Sequence, residues 1–218
     1  MSTSAPVPAP APAPEPSPWN LPNALTVLRI LLVPVFVWLL LRDGGDDAAS
    51  RWWAFGVFAV AIVTDRVDGD IARARGIVTN FGKVADPIAD KALTGAGFIT
   101  LSIIDVIPWW VSVVVVAREL GITLMRFFVI RHGVMPASRG GKVKTFLQAQ
   151  ALLILMAPLW VLPWSRVWEV VGYVILAAAV AVTIATAVDY VMKALTLRET
   201  SERAAMKRAR AGRDRQVP

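Results

Sequence analysis

Cysteine is absent from this chain, and histidine occurs once, at His132. Without thiols there is no disulfide, no thiolate nucleophile and no Cys-held zinc or iron–sulfur centre. A single imidazole cannot build a multi-histidine metal site. Any metal must therefore rest on oxygen ligands, which favours a hard cation such as Mg2+ or Mn2+. Acidic residues are also scarce, 16 Asp and Glu against 23 Lys and Arg, for a net charge of +7. In a soluble chain that balance raises the question of nucleic acid. Here the basic residues fall between and after apolar runs, which suits membrane topology and leaves no reason to expect a nucleic-acid partner. Hydrophobic residues make up 56% of the 218 and the mean hydropathy is +0.57. A soluble domain sits nearer ~45–50% apolar, so the excess points towards lipid.

Residues 5–18 alternate Ala and Pro, with Pro at 6, 8, 10, 12, 14, 16 and 18. Such a segment favours polyproline II and cannot bury a core, so residues 1–19 are expected to be a disordered tail. It has neither a basic start nor an apolar stretch, and so does not read as a signal peptide. Six apolar runs follow, at roughly 24–41, 52–72, 84–104, 109–130, 146–164 and 167–192. Each is close to the ~20 residues that cross the hydrocarbon as a helix. The second is apolar only from Trp52 to Thr64, so its helix should project from the membrane at its C-terminal end. The expected architecture is an all-α integral membrane protein: six transmembrane helices over 20–192, then a basic tail over 193–218.

Charge sets the orientation. The stretch 66–91 carries Arg66, Arg73, Arg75, Lys83 and Lys91, and 131–144 carries Arg131, Arg139, Lys142 and Lys144. The end adds Lys193, Arg198, Arg203, Lys207, Arg208, Arg210, Arg213 and Arg215, whereas the connections after the third and fifth runs have only Arg166. The positive-inside rule then puts both termini in the cytoplasm of a multi-pass cell-membrane protein. Trp109, Trp110, Trp160, Trp164 and Trp168 would form an aromatic belt at the opposite face. The basic tail reads first as a topological anchor, with anionic lipid as a further partner.

Ionisable residues concentrate where the second run ends and the third begins. At about 100° per residue, Asp65, Asp68, Gly69 and Ala72 share an arc of roughly 100°, and Gly82, Asp86 and Asp90 share one of roughly 80°. Asp70 lies well off the first arc. A short hairpin brings the two faces together. Four carboxylates at a membrane boundary would repel one another and be costly to desolvate. A lone Asp could serve an ion pathway, or pair with a neighbouring Lys or Arg. All four together, with small residues on the same faces, are better explained by two divalent ions sharing bridging carboxylates.

The stretch from Asp65 to Asp90 reads D-x2-D-G-x2-A-R-x8-G-x3-D-x3-D, and in this it resembles the signature of the CDP-alcohol phosphatidyltransferase family. The resemblance implies a six-helix membrane enzyme, usually a homodimer, that moves a phosphatidyl or related group from a CDP-linked donor to an alcohol and releases CMP. It implies that Asp65, Asp68, Asp86 and Asp90 hold two divalent ions, Mg2+ or Mn2+. It implies that Gly69, Ala72, Arg73 and Gly82 accept the cytidine diphosphate, and that Asp90 is the general base. Further segments are similar to the bacterial phosphatidylglycerophosphate synthases of that family: 20–29, 79–83 running into 86–91, Ala117-Arg118-Glu119, and 141–145. These imply CDP-diacylglycerol as donor and glycerol 3-phosphate as acceptor. Related cardiolipin synthases share several of them.

An acceptor phosphate would need cations. The fourth run carries Arg118 and Arg126, expensive there without an anionic partner, and the connection after it adds Arg139, Lys142 and Lys144. We expect Arg118, Arg139, Lys142 and Lys144 to bind the phosphate. The competing reading pairs Arg118 with Glu119 or Asp90 and leaves the rest to topology. Arg29 is expected to snorkel to the cytoplasmic surface or touch the donor phosphate, His132 to be an interfacial polar residue, and Pro34 and Pro158 to kink spans. A cardiolipin synthase acting on phosphatidylglycerol and a phosphatidylinositol-phosphate synthase are the competitors within the class. A cation transporter would want polar residues continuing to the far face, where the second and third runs are apolar.

Overall fold

The computed structural model describes residues 20–75, 79–129 and 139–200. The Pro/Ala stretch 1–19, residues 201–218, and Arg131 and His132 lie outside them. Among the described residues every regular element is helical: α1 Leu21–Leu41, α2 Ala48–Arg75, α3 Asn80–Ile103, α4 Trp109–Val129, α5 Arg139–Met156 and α6 Ser165–Thr200.

Local chemistry sets the helix ends. The Asn20 side chain accepts from Asn23 N at 3.0 Å, with Pro22 in the first turn of α1. Between α1 and α2 the chain turns tightly, with φ of 51°, 68° and 88° at Asp43, Gly44 and Gly45. A Cβ on Gly45 would meet Ile104 at 3.0 Å, so glycine here answers both a left-handed backbone and a close neighbour. Asp47 then starts α2 by accepting from Ser50 N at 2.9 Å. Hydrogen bonds from the Ser50 side chain and backbone hold its carboxyl below the usual range. Thr79 caps α3, accepting from Gly82 N at 3.0 Å. Helix α2 runs past Thr64 through the polar stretch to Arg75, and α3 includes Gly82.

Two boundaries differ from the sequence reading. The fifth run was expected to stay helical to 164, but α5 ends at Met156 and Pro158 leads into a short 3-10 turn, Leu159–Val161. Proline disfavours helix in the residue before it and lacks the N–H the helix would need, so it ends the helix instead of kinking it. The carbonyls released there are taken by Arg51, whose Nε and Nη2 donate to Met156 O and Leu155 O at 3.0 and 2.6 Å, while its guanidinium lies 4.9 Å from the Trp160 ring centroid. At the other end, α5 begins at Arg139, so Arg139, Lys142 and Lys144 belong to a helix and not to a loop.

Helix α1 packs against both α2 and α3, which scarcely touch each other, and α5 lies along α6. Phe36 and Phe58 meet edge to face at 5.3 Å, and Phe98, Leu101, Leu152 and Met156 fill the centre. Outward, every helix shows large apolar side chains: Leu31, Val60, Ile88, Val113, Phe146 and Val174 are all exposed. Two stretches, Leu21–Gly45 and Ser165–Lys193, are long and apolar enough by themselves to cross a membrane.

Candidate active site

The site is assembled on a polar stripe of α1. Asn23, Thr26 and Arg29, spaced i, i+3, i+6, are buried while Val27, Leu28, Ile30 and Leu31 between and beside them are exposed. Three-residue steps keep side chains on neighbouring turns of one face. The sequence allows Arg29 either to snorkel outward or to touch the donor phosphate. It is fully buried, its Nη1 2.6 Å from Asp65 Oδ1. A buried guanidinium needs an anion, and Asp65 on α2 supplies it. One turn earlier, the Thr26 hydroxyl donates to Asp86 Oδ1 on α3 at 2.6 Å. A further turn back, Thr79 Oγ1 donates to Asn23 Oδ1 at 2.9 Å.

Gly82 sits inside this network. A Cβ there would lie 3.1 Å from Asn23 Oδ1, 3.3 Å from Thr79 Oγ1 and 3.7 Å from Asp86 Oδ2. A side chain there would crowd Asn23 and Thr79 before it met the Asp86 carboxylate, so this close network takes glycine. Helix spacing places Asp90 one turn beyond Asp86, exposed at its surface. The charges within reach of it are those of Asp65, Lys144, Glu119 and Lys91, so carboxylates and lysines both act on it. The side chains of Asp68, Ala72 and Arg73 lie outside the described ones, and Gly69 is half-buried on α2.

Beyond Asp90 opens a cavity of about 690 Å3, lined by Arg66 of α2, Lys91 of α3, Arg118 and Glu119 of α4, Lys142 and Lys144 of α5, and Tyr190 of α6, among others. Arg118 Nη1 donates to Glu119 Oε1 at 3.0 Å and Nη2 to Thr186 Oγ1 at 2.9 Å, with Tyr190 stacked at 5.9 Å. Its Nε is buried without a hydrogen-bond partner. Lys144 Nζ donates to the same Glu119 Oε1. The pairing of Arg118 with Glu119, the competing sequence reading, is thus what the structure contains, and it extends to Lys144. Lys142 is exposed at the cavity, and the side chains of Arg139 and Arg126 lie outside the described ones.

The donor set suits a hard cation, since among the described side chains it offers oxygen ligands, carboxylates foremost. Among the described side chains no three acidic groups converge on one point, so Asp65 and Asp86 would need Asp68, Asp90 or substrate oxygens to complete a coordination shell. Sequence reasoning assigned no site role to Asn23, Thr26, Thr79, Thr186 or Tyr190. The stripe at 23, 26 and 29 on an otherwise apolar helix is a signal that could have found the first two.

Comparison with known proteins gives the following. A sequence model described as CDP-alcohol phosphatidyltransferase matches residues 19–185. The chain is 50% identical over 176 residues to a "Probable phosphatidylglycerophosphate synthase" of Mycobacterium tuberculosis, covering 81% of this chain and 82% of that protein. It is 38% identical over 148 residues to the Bacillus subtilis "CDP-diacylglycerol--glycerol-3-phosphate 3-phosphatidyltransferase", covering 63% of this chain and 77% of the relative. It is also 33% identical over 129 residues to a "Cardiolipin synthase (CMP-forming)" of Streptomyces coelicolor, covering 58% and 60%.

Proposed function

Because the chain belongs to the CDP-alcohol phosphatidyltransferase family, we propose that it is the enzyme joining CDP-diacylglycerol to glycerol 3-phosphate, giving phosphatidylglycerophosphate and CMP in phospholipid synthesis. The names carried by its relatives from M. tuberculosis and B. subtilis support this substrate pair. The observation that carries the reading within the molecule is the position of Asp90, in electrostatic reach of Asp65 on one side and of Lys144 and Glu119 on the other. A base for an acceptor hydroxyl belongs at such a junction, between an activated donor and a bound acceptor.

In this reading Asp65, Asp68, Asp86 and Asp90 would hold two divalent cations, Mg2+ or Mn2+, which when bound neutralise the donor diphosphate and the charge on departing CMP. Gly69, Ala72 and Gly82 leave the backbone open to the cytidine diphosphate, and Arg73 adds a cation beside it. Arg118, Lys142 and Lys144 receive the acceptor phosphate in the basic cavity, and Arg139 is proposed to join them. Asp90 takes the proton as the acceptor oxygen attacks the phosphatidyl phosphorus; the new P–O bond forms as the bond to CMP breaks. The outward apolar side chains of each helix and the two strongly apolar stretches support six membrane spans, with termini and site facing the cytoplasm and two copies forming a homodimer. The Pro/Ala and basic tails flank this catalytic domain.

Purified protein given CDP-diacylglycerol and Mg2+ or Mn2+ should release CMP with glycerol 3-phosphate as acceptor. Release only with phosphatidylglycerol would make it a cardiolipin synthase, the activity named for the S. coelicolor relative. No release with glycerol 3-phosphate, phosphatidylglycerol or inositol phosphate would overturn the enzymatic reading.

A further inference from the structure

The two halves of the acidic site sit on α2 and α3, and these two helices barely touch among the described residues. What both touch is α1. The contacts are specific. Arg29 reaches Asp65 on α2 at 2.6 Å, Thr26 reaches Asp86 on α3 at 2.6 Å, and Asn23 accepts from Thr79, the cap of α3, at 2.9 Å. We propose that α1 is the positioning element of the acidic site, with Thr26 fixing Asp86 and Arg29 fixing Asp65 so that the carboxylates of α2 and α3 keep one register. This rests on the reading of those carboxylates as cation ligands.

The geometry favours orientation over mere cross-bracing. Thr26 Oγ1 lies 2.6 Å from Asp86 Oδ1 and 3.1 Å from Pro22 O. The hydroxyl has one proton, and the shorter contact, to a charged acceptor, takes it. That leaves Asp86 Oδ2 on the side where Gly82 has no side chain. One carboxylate oxygen is fixed by the threonine hydroxyl, which leaves the other for a ligand, the arrangement by which outer partners aim a metal ligand. Thr26 is itself buried and its rotamer is restricted by branching at Cβ, so the aim is stiff. A purely structural tie between helices would have no need to end on the same carboxylates that the site uses.

The test is Mn2+ binding to the full-length protein in detergent, read from the free-ion paramagnetic resonance signal, with no substrate present. Loss of an outer partner of a metal ligand commonly weakens metal by about 10–100-fold. Thr26→Val should therefore bind Mn2+ about 10-fold or more weakly while melting as a folded protein, and Thr26→Ser, which keeps the hydroxyl, should stay near wild type. If Thr26→Val does not fold, Thr26→Ala takes its place. A folded Thr26→Val or Thr26→Ala that holds Mn2+ as tightly as wild type overturns the proposal. So does a serine variant as weak as the valine one, since packing of the methyl would then be the cause. Asp86→Asn separates the two levels: weakened Mn2+ in Asp86→Asn alone sinks the role of Thr26 but keeps the cation reading. Undiminished Mn2+ in Asp86→Asn, or none in wild type, removes both.

Discussion

One oxygen of Glu119 serves both Arg118 and Lys144, and those two cations are also the ones a phosphate in the cavity would need. The carboxylate and an incoming dianion therefore share the same donors. Glu119→Gln keeps an acceptor oxygen but removes the charge, leaving buried Lys144 and partly buried Arg118 less compensated. We expect its melting temperature to fall below wild type, and glycerol 3-phosphate to restore more stability to the variant than it adds to wild type, because a bound anion then meets a larger net positive charge. Equal stabilisation of the two proteins by glycerol 3-phosphate would place the acceptor phosphate elsewhere. Asp90 makes the complementary case. An amide cannot accept the hydroxyl proton, so Asp90→Asn should lower CMP release by about 10^2–10^4-fold while some Mn2+-dependent binding of CDP-diacylglycerol survives. Normal turnover would remove Asp90 as base. The acidic residues were legible in the sequence because helical spacing alone groups Asp65 with Asp68 and Asp86 with Asp90. The partners of Arg29 and Thr26 were not, since a polar stripe announces a face without naming what lies opposite. The contact from Thr26 to Asp86 spans 60 positions, and only tertiary packing makes it.

At the scale of the helix, apolar composition located all six elements but not their ends. The run 146–164 is almost uniformly apolar, and nothing in its hydropathy marks Met156 as the last helical residue. Pro158 does mark it, through backbone chemistry: the missing N–H and the crowding of the preceding residue. Arg51, in the first turn of α2, completes that ending from 105 positions away. The cost of removing it can be bounded. Hydrogen bonds to charged groups contribute about 1.5–3 kcal/mol each, and Arg51→Met removes two of them and the stacking on Trp160 while preserving much of the side-chain volume. The variant should be destabilised by about 3–6 kcal/mol in a denaturant titration, on the same bond strengths. Since Arg51 lies about 21 Å along α2 from Asp65, Mn2+ binding should be unchanged below the melting temperature. An unaltered midpoint would mean the released carbonyls find other donors. The start of α5 was the converse difficulty: Arg139, Lys142 and Lys144 are so polar that they read as loop, yet Lys144 is buried because Glu119 supplies its counter-charge.

The whole molecule is asymmetric in a way that can be tested directly. In the proposed topology the Asp cluster, the basic cavity and the C-terminal end of α6 share one membrane face, while the α1–α2 turn, Arg51 and the tryptophans at 160, 164 and 168 share the other. Positive residues resist translocation, and the stretches 66–91 and 139–144 hold more of them than 42–51, where Arg42 and Arg51 are set against Asp43, Asp46 and Asp47. The chain has no cysteine, so one introduced thiol reports its own side without a background. Asp46 and Thr196 are both exposed, the first in the α1–α2 turn and the second in the last turns of α6. In intact cells a membrane-impermeant maleimide should label Asp46→Cys, and should label Thr196→Cys only after permeabilisation. Both substitutions lie outside the site and should leave CMP release intact, which confirms that the labelled protein is the folded one. The reverse pattern would place the basic face outside, away from a cytoplasmic nucleotide donor. Labelling of both positions in intact cells would break the six-span topology itself, because it needs an even number of crossings between them where the proposed topology has those of α2 to α6.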